Sequence, residues 1–429
     1  MLLIIVAILL ILGSAVFHWR QGLFNSGIMA LLSLLCAAVA LGWYEPLARA
    51  VLYDSHMVYA DALCLMGLFV LPLLVLRIII DRLISRGIVF NHWVDSIGGA
   101  LMGVLTGMLA FGVLFVALQM LPWGPSVIDY QPYDSSIDIQ GNTDGHDGRQ
   151  DSLAPLYPDE FVLGLTKMLS GGTLQTQGEW NFGRAHSDLL RELYCARYRV
   201  ERTGPVKNGS VTEEVTNRYG RLDARRGELQ VVSVMECPDE FVKNWYPGDL
   251  RHPLLAAPAR RGQKLYVVRV KVSRAAAETE SGPVAGWWVL PLPHFRLVTD
   301  KGEDFYPLGY LAYASLDNLE AAVREATARQ WPKPQEWLFV GPAPVSKDLP
   351  DRYQRAELSV DRQVGDKQDW LVIDWVFSLP PDKENRPAFM AFRRAAVAPV
   401  PKVLSAKEAA AMIASSEFSS TALQRVRPK

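Results

Sequence analysis

The stretch DSIGGALMGVLTGMLAFGVLFVALQM, residues 95–120, decides how this chain folds. Its one charged side chain is its first residue, Asp95, and the rest is apolar or small. A helix rises about 1.5 Å per residue, so the run is long enough to cross a hydrocarbon core of about 30 Å. Gly99, Gly103 and Gly107 follow Asp95 at intervals of four, which places all four on one helix face. In lipid, where no hydrophobic force joins helices, a face of small residues lets another backbone approach closely.

Three further apolar runs precede it, at about 1–17, 26–43 and 60–80, and the last run itself is read as 96–121. Only ten charged residues lie in 1–123: Arg20, Glu45, Arg49, Asp54, Asp61, Arg77, Asp81, Arg82, Arg86 and Asp95. That is about 8% of the segment, too few for the surface of a water-soluble domain, whereas the remainder reaches an ordinary value of about 26%. The first run lacks a basic n-region and a small-x-small cleavage site, so it reads as an uncleaved span. The whole chain of 429 residues carries 44 basic and 45 acidic side chains. A balance so close to neutral argues against nucleic acid as a partner. The composition also excludes a one-domain cytoplasmic enzyme, a disordered chain and a small disulfide scaffold.

Charge also orients the spans. The first connector carries Arg20 and the third carries Arg82 and Arg86, while the second sets Arg49 against Glu45, Asp54 and Asp61. Positive residues favour the cytoplasm, so both ends of the bundle and everything after it are expected outside. Trp19 and Trp93 at the inner border, and Trp43, Tyr44, Tyr59 and Trp123 at the outer one, fit headgroup-level aromatic belts. Arg77 lies inside the third run near its cytoplasmic end, where a guanidinium either snorkels to the interface or lines an ion or substrate path. Pro72 is expected to kink that helix. In the second span Ser26, Ala30, Ser33, Ala37 and Ala40 form another small-residue face, and the expected close pair is helices two and four.

These residues resemble the colicin V production (CvpA) family of inner-membrane proteins. The resemblance rests on Asp95, Gly99, Gly103 and Gly107 opening the last of four spans, with Arg20 and Gly22 as the family's basic-glycine turn after the first. It covers about residues 1–122. Family members often carry Arg directly after the Asp and another before the last Gly, where this chain has Ser96 and Thr106. Membership implies a bacterial inner-membrane protein linked to toxin production or export and to envelope integrity, with no catalytic chemistry in the helices themselves. From its own position Asp95 reads first as a cap on the helix it opens, and second as a proton- or ion-coupled group.

The chain divides into a four-helix transmembrane domain (1–123), a polar linker (124–156), a short helical segment (157–205), a β-sandwich (206–400) and a low-complexity tail (401–429). The linker is rich in Asp, Gly, Ser, Gln and Pro without apolar periodicity. Residues 158–170 read as an amphipathic helix with acids in the first turn, and a second follows Ser187 to about Arg197. Faces this short must dock on something, and the sheet is expected ahead of the membrane surface. From Leu229 onward short β-branched and aromatic runs are separated by Pro and Gly, with Asp300-Lys-Gly as a hairpin turn. The fold class is therefore a multi-domain chain with an all-α membrane bundle, a short helical segment and an all-β sandwich. The strand runs resemble immunoglobulin-like sandwiches of bacterial envelope proteins, which bind or space other proteins. Trp287, Trp288, Trp370 and Trp375 read as sandwich core ahead of a binding surface. Residues 405–423 are either a marginal surface helix or disordered.

Catalytic patterns are missing. A branch of the family joins a trypsin-like protease to the four helices, but no GDSGG-like turn follows His146, His186, His252 or His294. There is no HExxH, no CxxC and no phosphate-binding GxxxxGK(S/T) loop. Cys36 and Cys64 read as packing residues; Cys195 and Cys237 are either a disulfide or two separately buried thiols. The expected protein has no cofactor or metal, works as a non-catalytic periplasmic binding or scaffold module, and meets the bilayer and an envelope protein partner. Self-association through the glycine faces is open. The alternative reading is a component that transports or exports a solute or peptide.

Overall fold

A computed structural model of the chain describes residues 2–84, 91–121, 157–170, 182–197, 227–243, 246–247, 263–273, 278–279, 287–314, 336–340, 355–359, 370–381, 385–392 and 396–415. The expected linker, 124–156, lies outside them. Two compact units emerge, one holding the first 134 residues with Arg149–Arg197, the other Ser135–Gly148 with Tyr198–Lys429.

The first unit is built on α1 (Leu2–Gln21), α2 (Leu23–Val51), α3 (Tyr53–Leu83) and α4 (His92–Met120). All four are long and apolar enough to cross a membrane, with mean hydropathies of 2.1, 2.0, 2.7 and 2.4. They overrun the apolar runs at most ends, because backbone hydrogen bonding continues past the last apolar side chain. α3 continues through Pro72, and α2 contains Pro46 near its end. One residue, Gly22, separates α1 from α2, so the chain turns sharply between them.

Three short helices complete the unit: α5 (Pro158–Ser170), α6 (Phe182–Ala185) and α7 (Leu189–Arg197). They pack on the spans, where their amphipathic pattern led us to expect the sheet as the partner. Val162, Leu163, Phe182, Leu189, Leu190 and Leu193 instead enter one apolar cluster with Cys36, Ala40, Tyr44, Leu65, Leu109 and Val113 of the spans. Periodicity specifies that a face is covered, not by what; here the C-terminal halves of α2 and α4 offered the complementary surface.

The second unit contains β1 (Leu229–Glu236), α8 (Asp239–Lys243), β2 (Tyr246–Pro247), β3 (Lys264–Ser273), β4 (Glu278–Thr279), β5 (Trp287–Pro291), β6 (Phe295–Thr299), β7 (Asp304–Phe305) and β8 (Gly309–Ala314). There follow β9 (Glu336–Val340), β10 (Arg355–Ser359), β11 (Trp370–Leu379), β12 (Pro387–Phe392), β13 (Ala396–Pro399), β14 (Val403–Leu404) and α9 (Ala406–Ile413). An open seven-stranded sheet, β14-β1-β3-β11-β8-β9-β2, and a four-stranded one, β13-β12-β6-β7, contribute to one core. Val268, Val270, Ile373, Trp375 and Phe377 come from the first, and Phe295, Leu297, Met390 and Phe392 from the second. A three-stranded ribbon, β10-β5-β4, is separate.

Trp375 is fully buried with its ring centroid 4.6 Å from that of Phe295, as the core reading required, whereas Trp370 is half-buried and the side chains of Trp287 and Trp288 lie outside the described residues. The Asp300-Lys-Gly turn joins β6 to β7 with Gly302 at φ +83, a conformation that favours glycine. β1 is interrupted by a bulge between Val231 and Ser233, and Val232 between them is exposed. Within the paired strands Arg269 of β3 faces Asp374 of β11, joined by two hydrogen bonds of 2.7 and 2.8 Å while almost wholly buried. After the sandwich, α9 is a formed helix. Ser405 and Glu408 make a reciprocal capping box, and Ala409 anchors it in the cluster of Met235, Leu265, Leu311 and Val376. Hydrogen bonds from the Ser405 backbone and from Lys402 hold the Glu408 carboxyl down to about 2.

Candidate functional site

The residues singled out in the first span's turn and in the last span meet at one place. Gly22 has φ +81 and ψ 165, and its carbonyl accepts from Ser26 N at 3.2 Å as α2 begins. Into this turn comes Asp95 from the first turn of α4. Its Oδ1 accepts the Leu23 backbone N–H at 2.8 Å. Asp95 therefore caps α2, not the helix to which it belongs, which corrects the expectation drawn from its position. The cap on α4 is Asn91, whose Oδ1 accepts from Trp93 N at 3.4 Å. Two physical needs coincide here: α2 has an unsatisfied N–H at a positive dipole end, and no side chain of its own at Gly22 to meet it.

The same arrangement explains why residue 22 is glycine. A Cβ there would stand 2.6 and 2.8 Å from the Asp95 carboxylate oxygens, besides the positive φ. Gly22 leaves the room that the carboxylate fills.

Behind the cap, the glycine face of α4 receives α1, not α2 as expected. A Cβ on Gly99 would meet His18 O at 2.6 Å, one on Gly103 would meet Ala15 Cα and His18 Cβ at 2.8 Å, and one on Gly107 would meet Ile11 Cα at 3.1 Å. Ser14 Oγ donates to Gly103 O at 2.8 Å across this contact. The small residues of α2 serve elsewhere: Ser26 Oγ donates to His18 O at 3.1 Å, while Ala37 and Ala40 pack in the cluster shared with α3, α4 and the short helices. Sequence spacing identified the face but left its partner open, since either neighbour satisfies a four-residue repeat. His18 is buried, with Nδ1 2.9 Å from Ser14 O. Thr106, at a position where the family often has Arg, is buried and donates to Met102 O at 2.9 Å.

Arg20 is exposed beside the turn. Arg77 is part-exposed and pairs with Asp81 at 3.0 Å on its own helix.

At the other end of the bundle lies a cluster that spacing did not reveal. His186, between α6 and α7, is buried with Nδ1 2.7 Å from Glu192 Oε2 and Nε2 3.2 Å from Glu45 Oε1 of α2. Glu45 also holds Arg49 at 3.2 Å. Burial disfavours charge on His186, but the carboxylates, Glu192 ahead of Glu45, outweigh it and carry its pKa up to about 9. With both ring nitrogens donating to carboxylates, the imidazolium has no lone pair with which to accept a proton, so it acts as a clamp between α2 and α7 and not as a general base. Glu45 is far in sequence from His186 and Glu192, which lie six residues apart, and no local pattern announces the three.

Cys195 and Cys237 form no disulfide: both are buried thiols, and they belong to different compact units. Burial, with Glu236 nearby, pushes the Cys237 thiol up, which makes it a poor nucleophile.

A four-span bundle closed by a carboxylate cap and a glycine-packed helix pair, followed by an open two-sheet β unit, defines the class: a multi-pass membrane protein with a large non-helical domain. Within that class, residues 3–133 match the family model described as Colicin V production protein, so the chain carries a CvpA-family domain. No curated protein and no solved structure matches the chain.

Proposed function

We propose that this is a bacterial inner-membrane protein of the colicin V production type, serving toxin production or export and envelope maintenance, whose β-sandwich is a non-catalytic periplasmic binding or scaffold domain. The observation that carries the reading is the engagement of Asp95. The one carboxylate in the last span is bound to the Leu23 N–H at 2.8 Å, against a glycine face filled by the α1 backbone. A bundle that uses the acid of its last span to hold its own helices together is built as a platform. Arg77, the other candidate for a transport path, is neutralised by Asp81 one turn further along α3, which also favours a platform over a conduit.

Orientation follows from the arginines of the first and third connectors, which favour the cytoplasm; N- and C-termini then lie outside it, with the sandwich. Its partner is an envelope protein, and the helices can also pair between copies. The test is to attach alkaline phosphatase, or a fluorescent protein that matures only in the cytoplasm, after Lys429. Phosphatase activity without fluorescence is expected, and photocrosslinking from the sandwich then identifies the partner. Fluorescence without phosphatase activity overturns the periplasmic assignment and the scaffold reading with it.

A further inference from the structure

The helix α5 is covered on one side only, and its open side is apolar. Val162, Leu163 and Thr166 face the bundle and are buried. The opposite arc carries Tyr157, Phe161, Gly164, Leu165 and Met168: Tyr157 is 42% and Met168 68% exposed and Gly164 is open, while Phe161 and Leu165 are half-buried and also touch the bundle cluster. At about 100° per residue these five fall within roughly a third of the helix circumference. A helix facing water puts its charges on the outward arc. Here Asp159 is buried and accepts from Gln119 Nε2 at 3.5 Å, Lys167 Nζ donates to Ser187 O, and Glu160 is half-buried at the edge of the arc.

Depth is set by Gly112. A Cβ on this residue of α4 would lie 2.9 Å from Pro158 C and 3.0 Å from Val162 Cγ1, so the first turns of α5 rest directly on it. Gly112 stands about 25 Å along the helix from Asp95, by the rise of about 1.5 Å per residue. With Trp93 and Asp95 at one border, a core of about 30 Å still encloses Gly112. The neighbouring outer half of α2 exposes Val39, Trp43 and Leu47, a face that lipid covers in any four-span protein. α5 packs beside α2.

We propose that α5 is a fifth membrane-embedded element, lying in the leaflet around the end of the bundle where α2 and α4 terminate, with its outward arc in contact with lipid acyl chains. This makes the segment after the last span part of the bilayer-embedded body. The four spans then end in an embedded collar, clamped through Lys167 and Ser187 to the turn that carries His186.

The test uses the full chain in phosphatidylcholine vesicles with bimane on Met168→Cys; the four native cysteines are buried, and the unsubstituted chain serves as the blank. Leu71→Cys, 66% exposed on α3, is the lipid control, and the exposed Lys407→Cys on α9 is the aqueous one. Lipids brominated on their acyl chains are expected to quench the label at 168 by at least half as much as at 71, while iodide quenches only the label at 407. Quenching at 168 by iodide and not by brominated lipid places α5 in water and overturns the proposal. A label reached by neither quencher shows that protein covers the arc, which overturns it equally.

Discussion

Asp95→Ala removes one acceptor from the start of α2 and touches nothing that α4 itself needs, because α4 is capped by Asn91. A hydrogen bond to a charged group contributes about 1.5–3 kcal/mol, and a carboxylate at a helix N-terminus adds about 0.3–1 kcal/mol. The expected loss is about 2–3 kcal/mol of bundle stability, against about 1 kcal/mol for Asp95→Asn, which keeps an acceptor. Gly22→Ala alone adds the cost of a positive-φ, extended backbone essentially confined to glycine, about 1–3 kcal/mol, to a Cβ placed 2.6 Å from the carboxylate. Combined, the two changes cost less than their sum, because the alanine at 95 leaves no carboxylate to collide with and the displaced cap is lost only once. The cycle is read by SDS titration in bicelles, following the helical circular dichroism signal, with a coupling of at least about 1 kcal/mol expected for groups in direct contact. Strict additivity, or an Asp95→Ala protein within about 0.3 kcal/mol of the parent, refutes the cap.

Glycines should separate into two kinds under alanine substitution: Gly103→Ala and Gly112→Ala disrupt the bundle, whereas Gly13→Ala, Gly27→Ala and Gly67→Ala, whose added Cβ meets nothing within 4 Å, leave its melting unchanged or raised. For His186, a folded pKa of about 9 lies above the ordinary 6.5. Its contribution, on the order of 3 kcal/mol, is therefore complete below pH 6.5 and lost as pH rises through 9. Hydrogen exchange of residues 182–197 should accelerate across that window, and His186→Gln should abolish the pH dependence. In the sandwich, Asp374→Ala strands the buried Arg269 guanidinium and should cost about 3–5 kcal/mol in urea unfolding, while replacing both residues by Met and Leu should recover most of it.

Much of the second unit was legible because strands announce themselves locally. Leu229, Lys264, Trp287, Phe295 and Trp370 each open a strand where β-branched and aromatic runs begin. The pairs that did not show are long-range: Arg269 and Asp374 are separated by 105 positions and meet only because β3 and β11 are neighbours in register. The site in the bundle divides in the same way. Arg20, Gly22, Asp95 and the three glycines were visible as spacing, but spacing gave Asp95 to the wrong helix and the glycine face to the wrong neighbour. The Glu45, His186 and Glu192 cluster left no trace, since its members come from a span, a turn and a short helix.

Four membrane spans, a sandwich of strands and a small-residue face on α4 are written locally in the chain, because hydrophobicity and periodicity act over a few turns and need no partner to be read. Which helix that face meets, which helix Asp95 caps, and the closing of α5, α6 and α7 on the bundle emerge with long-range packing. These are choices among surfaces that satisfy the same local pattern equally well, and close packing of particular side chains, not periodicity, selects between them.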